Sequence, residues 1–223
     1  MPLVQSVNVA CSAAASEFTD RPTGIDKSSV DGPVEVREPG SKQDGLGSGL
    51  VGDAIGDQRH HGGSEQAVYA YSRESLDWWE RRIGRRLSDG WFGENLTTVG
   101  LDVDHAVVGE HWQVGVGVIL QVTGPRVPCS AFRGQMARPG WVKEFVAGQR
   151  PGAYLRVVEA GFVNRGDGLQ VVRRPDHGVT VDLVFRALIT KPELLGRLLM
   201  AGDDLGDELR EFATRGRSVT LDA

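Results

Sequence analysis

The sequence predicts a mostly β protein with a few short helices and a small C-terminal segment of three helices. Residues Leu3–Val9 alternate weakly between apolar and polar side chains, which indicates a first strand. The clearest strand is predicted over 114–123, where Gly115 and Gly117 interrupt one face. Glycines inside a strand often mark a bulge or a close approach of backbone. The opposite face of this segment carries Val116, Val118, Leu120 and Val122.

A helical pattern replaces the strand pattern near the C-terminus. From Thr180 onward we expect three helices, over 181–188, 192–200 and 205–213. Pro192 suits the first turn of the second helix, because its missing N–H is not needed there. We therefore predict a boundary near residue 176, between a β domain at 1–176 and a three-helix segment at 177–223.

Shorter elements fill the rest of the β domain. Strands are predicted at 67–71, 154–159 and 169–173, with a short helix at 141–146. Ser72 is expected to cap a further helix, since its hydroxyl can accept from the free amides of the first turn. That helix has a buried stripe of Leu76, Trp79, Ile83 and Leu87, and a solvated basic face of Arg81, Arg82, Arg85 and Arg86.

Composition excludes several classes of function. The 223 residues carry a formal net charge of −5, and residues 175–223 contain six Lys and Arg but nine Asp and Glu. Because such a surface repels phosphates, nucleic-acid binding is not expected. Cys11 and Cys129 are too few for a disulfide framework or for an iron–sulfur cluster. No Lys or Arg precedes the short apolar run within 1–15, whereas a secretory signal requires such a basic residue. No stretch approaches the ~18 consecutive apolar residues that a membrane-spanning helix needs. We expect a cytoplasmic protein that does not enter a membrane.

The strongest chemical feature is Cys129, in a Gly-Pro-Arg-Val-Pro-Cys loop. Pro125 and Pro128 stiffen this loop, and Arg126 lies close enough in sequence to favour a thiolate. A thiolate ligates a soft metal or attacks an electrophile. A buried structural cysteine is the alternative interpretation.

A second candidate segment runs from Asp57 through His60 and His61 to Gly62 and Gly63. Because adjacent side chains of a strand point to opposite faces, we expect one histidine to face a site and the other to serve the structure. No Cys or Glu completes a zinc pattern at the usual spacing. The two glycines leave backbone amides free to approach an anion. Either histidine is also a possible base for a nucleophilic Cys129.

Three further polar residues are weaker candidates when each is taken alone. Asn95, preceded by Glu94, both donates and accepts and suits a heterocycle edge, although a simple turn explains the pair equally well. Lys27 is an isolated cation between small residues.

Taken in order along the chain, these motifs resemble the MOSC family, the C-terminal domain type of molybdenum cofactor sulfurases, and within it the stand-alone bacterial YiiM-like branch. The resemblance spans about residues 20–165 and follows from the order of the motifs rather than from any one of them. The matching segments are 23–27 with 30–34, Gly52-Asp53 and 56–58 leading to 61–63, 67–71, 92–96, and Pro125-Arg126 with Pro128-Cys129.

The resemblance implies a closed or nearly closed, mostly antiparallel β-barrel, with a small three-helix segment at its end. It implies that Cys129 ligates molybdenum or carries sulfur as a persulfide. It also implies cofactor-binding roles around the motif residues Lys27, His61, Gly62, Gly63, Glu94, Asn95 and Arg126. Cations and glycine amides suit the phosphate of molybdopterin, and an amide side chain suits its pterin ring.

The activity implied by the resemblance is reduction of N-hydroxylated bases or related compounds to amines, with the cofactor performing the bond breaking. The chain carries no iron–sulfur cysteines and no dinucleotide fingerprint, so we expect no flavin of its own. Electrons are expected from a separate reductase, a flavoprotein. The alternatives are a non-catalytic carrier of cofactor or persulfide sulfur, and an interaction module that has lost its site.

Overall fold

The computed structural model describes residues 1–16, 19–219 and 221. Within them the chain forms strands and short helices, as expected. The strands are β1 (Leu3–Val9), β2 (Ala14–Ser16), β3 (Thr19–Thr23), β4 (Ser28–Ser29), β5 (Val34–Val36), β6 (Val68–Ser72), β7 (Leu96–Val99), β8 (His111–Val114), β9 (Val118–Pro125), β10 (Ala153–Glu159), β11 (Gly161–Val163) and β12 (Leu169–Arg173). The α-helices are α1 (Arg73–Ile83), α2 (Ser130–Met136), α3 (Trp141–Gly148), α4 (Val181–Ile189), α5 (Leu195–Leu198) and α6 (Asp207–Arg215).

Eight strands form one sheet in the order β12-β8-β9-β10-β6-β7-β1-β4, and β11-β5 and β2-β3 form two small sheets. The pairs are antiparallel except for β6 with β7. This order is open, and a closed ring of paired strands is not found among the described residues, so closure stays a prediction. The two ends of the sheet nevertheless approach each other, since Val4 N donates to Asp167 O and Leu169 N to Pro2 O, both at 2.9 Å.

The predicted strand over 114–123 is wrong in one respect, because a hairpin divides it. His111–Val114 and Val118–Pro125 pair with each other, with Val114 opposite Val118. Gly115 takes a φ of 60°, in the left-handed region that glycine tolerates, and starts the turn. Val116 therefore lies at the tip with 99% of its surface exposed, whereas the other three valine and leucine residues of the predicted face are buried.

Helix α1 begins as predicted, with the Ser72 hydroxyl accepting from Ser75 N. Leu76 and Trp79 are buried on its inner face. Gly84, at a φ of 68°, ends the helix. Leu87 therefore lies in the loop that follows the helix, and its side chain is buried there. The four arginines of the predicted basic face are exposed.

Two layers of apolar side chains lie on either side of the sheet near the site. The inner layer consists of the valines and leucines of the strands. The second is aromatic and packs α1, α2 and α3 against the sheet through edge-to-face contacts; its members include Trp79, Phe92, Phe132, Trp141 and Phe145. Helix α2 was not predicted from the sequence. It fixes the residue that precedes it, Cys129.

The C-terminal helices occur where they were predicted, although the middle one is mostly 3₁₀ on either side of α5. They share an apolar cluster that Val108 and Val127 of the β domain also join. The boundary near residue 176 stays a prediction. None of the helices in the described part of the chain is long and apolar enough to cross a bilayer.

Candidate functional site

A cavity of about 530 Å³ opens beside the end of β9. Its size is within the range of small-molecule and cofactor sites. Six of the residues predicted for the site line it, namely Lys27, His61, Gly62, Asn95, Arg126 and Cys129. The chain brings them together because the loops at 22–27, 55–66 and 93–95 converge on the segment that joins β9 to α2.

Cys129 occupies the N-cap position of α2, with extended backbone. Burial alone raises the pKa of its thiol. The hydrogen bond from His61, the positive charge of Arg126 and the amide of Phe132 outweigh that effect and lower the pKa from 9 to about 6. The residue is thus a thiolate at neutral pH, which is the form that binds metals and reacts with electrophiles.

Arg126 is the main positive charge beside Cys129. Its side chain is 6% exposed, and Nη2 lies 4.0 Å from Cys129 Sγ. The guanidinium also donates to Phe92 O and stacks 4.3 Å from the ring centroid of Phe132. Among the described residues no carboxylate pairs with it, and its buried Nε has no hydrogen-bond partner. A buried cation with only a thiolate nearby favours an anionic ligand.

Lys27 is placed differently, because a buried carboxylate already neutralises it. Its ammonium forms an ion pair with Asp53, and the two side chains are 5% and 0% exposed. Burial lowers the pKa of Lys27, which Asp53 partly offsets. Asp53 also accepts from Ser48 Oγ at 2.7 Å, Asn95 Nδ2 at 2.9 Å and Ala10 N at 2.9 Å. The group ties the cavity floor to β1 and β7.

Asn95 lines the cavity, but the protein itself uses its amide. Oδ1 accepts from Tyr69 N at 3.1 Å, and Nδ2 donates to Asp53 and to Asn8 O. Both amide hydrogens are therefore occupied, and the role left for Asn95 is to hold Asp53 and β6 in place.

Two of the residues predicted to bind the cofactor, Glu94 and Gly63, do not line the cavity, and a binding role for them stays a prediction. Glu94 is fully buried; its carboxylate accepts from Gly90 N, Phe92 N and Thr97 Oγ1 and thereby shapes the loop before β7. Burial raises its pKa to about 7, although these hydrogen bonds oppose the shift. Gly63 N donates to Gly47 O at 2.8 Å, so this amide is not free for an anion.

The histidine pair also differs from expectation. Residues 57–61 form a turn rather than a strand, closed by His61 N donating to Asp57 O at 3.1 Å. Since strand alternation does not apply in a turn, both His60 and His61 line the cavity. His61 is the one that contacts the thiolate of Cys129.

Comparison with known proteins agrees with this geometry. The profile of the MOSC domain matches residues 57–170, just over half of the chain. The chain belongs to the MOSC domain family. It is 35% identical over 139 residues to YflK of Bacillus subtilis, covering 60% of this chain and 61% of that protein. A protein named "Reductase" from Gibberella moniliformis is 30% identical over 131 residues, covering 57% of this chain and 23% of that protein.

The matches to these curated relatives span less than two thirds of each relative's own length. The solved structure of YiiM from Geobacillus stearothermophilus is similar over nearly the whole of both chains. The TM-score is 0.76 at 26% identity, covering 97% of this chain and 99% of that one. This likeness confirms the predicted MOSC and YiiM-like relationship.

Tyr69 and Tyr154 were missed in the sequence, yet both line the cavity of this MOSC domain. Their rings lie 5.1 Å apart, and the Arg126 guanidinium is 5.3 Å from the Tyr69 ring. Burial raises the pKa of both phenols, so both stay protonated at neutral pH. Neither tyrosine has a sequence signal of its own, because each looks like an ordinary strand residue.

The residues present fit an anionic molybdenum cofactor. Cys129 offers a soft thiolate, and the buried Arg126, which pairs with no carboxylate among the described residues, offers charge for a phosphate or a dithiolene. Gly93 makes room for that guanidinium, because a Cβ there would lie 3.3 Å from Arg126 Nη1. Within the described residues, no three His, Cys, Asp or Glu side chains form a metal-binding cluster. Cys129 and Arg126 are the lining residues whose chemistry suits this cofactor.

The lowered pKa of Cys129 is directly measurable. In a Cys11→Ser background, we expect its alkylation by iodoacetamide to rise with pH around a midpoint of about 6 and then level off. Arg126→Gln is expected to move the midpoint upward, because a positive charge is lost next to the thiolate. The control is Cys129→Ser in the same background, which should not be labelled. A midpoint near the ordinary thiol value of ~8.5 would contradict the described contacts.

Proposed function

We propose that this MOSC protein binds molybdenum cofactor, with Cys129 as the metal ligand, and reduces N-hydroxylated bases or related N-hydroxylated compounds to amines. The observation that carries the proposal is the Cys129 thiolate, held by His61 and Arg126 at the wall of a cavity large enough for a ligand. The relative named "Reductase" supports an oxidoreductase.

When bound, the cofactor supplies two-electron, oxygen-accepting chemistry. The overall reaction breaks the N–O bond, consumes two electrons and two protons, and releases the amine and one water. The residues of this chain bind and orient the cofactor and the substrate. Arg126 neutralises negative charge, and His61 forms a hydrogen bond with the thiolate of Cys129. The buried phenol of Tyr154 keeps its proton and faces the same space.

We propose that the electrons come from a separate reductase, a flavoprotein. Two cysteines are too few to hold an iron–sulfur cluster in this chain, and the sequence has no dinucleotide fingerprint for a flavin of its own. The proposed site of action is the cytoplasm, where both described cysteines, Cys11 and Cys129, would remain reduced thiols.

The test is turnover of 6-hydroxylaminopurine by protein purified from a host that makes molybdopterin. With a reduced flavoprotein as donor, we expect one adenine for every two electrons consumed, at a rate proportional to protein concentration. If molybdenum-loaded protein forms adenine no faster than donor alone, reduction is contradicted. Carriage of the cofactor or of persulfide sulfur is then the better account of the same thiolate.

A further inference from the structure

Helix α6 forms a wall of the cavity that contains Cys129. Leu209 and Phe212 lie three residues apart and therefore share one face of the helix, which is turned toward the cavity. Both side chains are half-buried. Leu188 of α4 and Val219 extend the same apolar surface. The C-terminal segment thus contributes directly to the space in front of the thiolate.

The position of α6 is fixed by close packing on the β domain. Leu209 Cδ1 lies 3.1 Å from where a Cβ would stand on Gly124, so the helix packs closely against the end of β9. A Cβ on Gly206, just before α6, would lie even closer to a carboxylate oxygen of Glu65. Asp204 accepts from both terminal nitrogens of Arg173, at 2.8 and 3.0 Å. These contacts hold the apolar wall against Gly124, which precedes Arg126 by two residues.

The two parts of the cavity lining differ in chemistry. Arg126, His60, His61 and Lys27 all come from the β domain. The described lining residues of the C-terminal segment include no cation, and their single charged residue, Glu208, pairs with Lys42 at 3.2 Å. An anionic group gains nothing from such a wall, whereas an uncharged ring gains by covering it.

We propose that the α6 face of Leu209 and Phe212 is the subsite for the ring of the substrate, and that it selects flat, uncharged aromatic N-hydroxylated compounds over small aliphatic ones. This inference rests on the proposed function for the identity of the reacting group. The subsite itself depends only on the apolar lining.

Two neutral amidoximes with the same reducible group separate ring recognition from chemistry. Binding of benzamidoxime and acetamidoxime is measured by ligand-observed NMR on the full chain without any electron donor. We expect benzamidoxime to bind at least about tenfold more tightly, and Phe212→Ala to remove most of that difference. If the alanine variant unfolds, Phe212→Leu is used instead, because it keeps an apolar side chain. It is expected to reduce the preference for benzamidoxime about threefold.

The matched control is Phe162→Ala, since Phe162 is 61% exposed on β11 and does not line the cavity. It should leave the preference unchanged. Equal binding of the two amidoximes by the unsubstituted protein, or an unchanged preference in both folded Phe212 variants, would overturn the subsite. If the binding preference is preserved but the protein shows no turnover with donor present, the proposed reduction is overturned and the subsite is not.

Discussion

Cys129→Ser is expected to reduce turnover of 6-hydroxylaminopurine to the rate measured without protein. A serine hydroxyl has nearly the same size as the thiol, but it stays protonated at neutral pH and is a hard, weak ligand for a soft metal. In the unsubstituted protein the contacts with His61 and Arg126 hold Cys129 as a thiolate, with a pKa of about 6. The substitution therefore removes the proposed metal ligand with little change in the size of the side chain.

The control for this experiment is Cys11→Ser, because Cys11 is exposed and outside the cavity. It should keep the full rate. Cys11→Ser should unfold at the same temperature as the unsubstituted protein. Cys129→Ser is expected to unfold at a lower temperature, because it leaves the buried guanidinium of Arg126 without a nearby negative charge. If folded Cys129→Ser retains half or more of the rate, Cys129 does not hold the reacting centre.

Asp53→Asn is expected to lower the free energy of unfolding by about 3–5 kcal/mol at pH 7. Asp53 and Lys27 form an ion pair with side chains 0% and 5% exposed. An amide in place of the carboxylate leaves a buried ammonium without a counter-charge. It also replaces one acceptor oxygen by an NH₂ group, so the donors at that oxygen lose their acceptor. These donors are Ser48 and Asn95 if Oδ2 is replaced, and Ala10 and Lys27 if Oδ1 is replaced.

The exposed pair Lys42–Glu208 provides the matched control, because it joins the same two chemical groups at the surface. Glu208→Gln is expected to cost less than about 1 kcal/mol. Both losses are measured by urea unfolding at equilibrium. A loss for Asp53→Asn as small as that of the control would show that the buried pair does not hold the loops of the site together.

Local sequence patterns predicted most of the helices and the strands β1, β6, β9, β10 and β12, because apolar periodicity and capping are properties of short segments. Ser72 as a cap and Leu169–Arg173 as a strand are examples. The hairpin at 115–117 was missed, since its glycines are equally compatible with a bulged strand. Helix α2 was missed because its seven residues offer too little periodicity to distinguish it from a loop.

The candidate site was predicted as a set of residues but not as an arrangement. Cys129, Arg126 and His61 meet as the order of motifs implied. The partners of Glu94 are only two to four residues away, but the sequence does not show that its carboxylate turns inward to meet them. The internal use of the Asn95 amide depends on Asn8 and Asp53, which lie far away along the chain, so no local pattern reveals it. The same is true of α6. Its apolar face is visible in the sequence, but Gly124, against which it packs, lies more than eighty residues earlier.

The most direct test of the central claim is molybdenum and pterin analysis of the protein purified from a molybdopterin-competent host. We expect close to one molybdenum and one pterin per chain in the unsubstituted protein. Cys129→Ser should lose most of the metal, while Cys11→Ser should retain it. Equal metal content in the Cys129→Ser and unsubstituted proteins, or the absence of both metal and pterin from the unsubstituted protein, would contradict Cys129 as the ligand that holds molybdenum cofactor in this cavity.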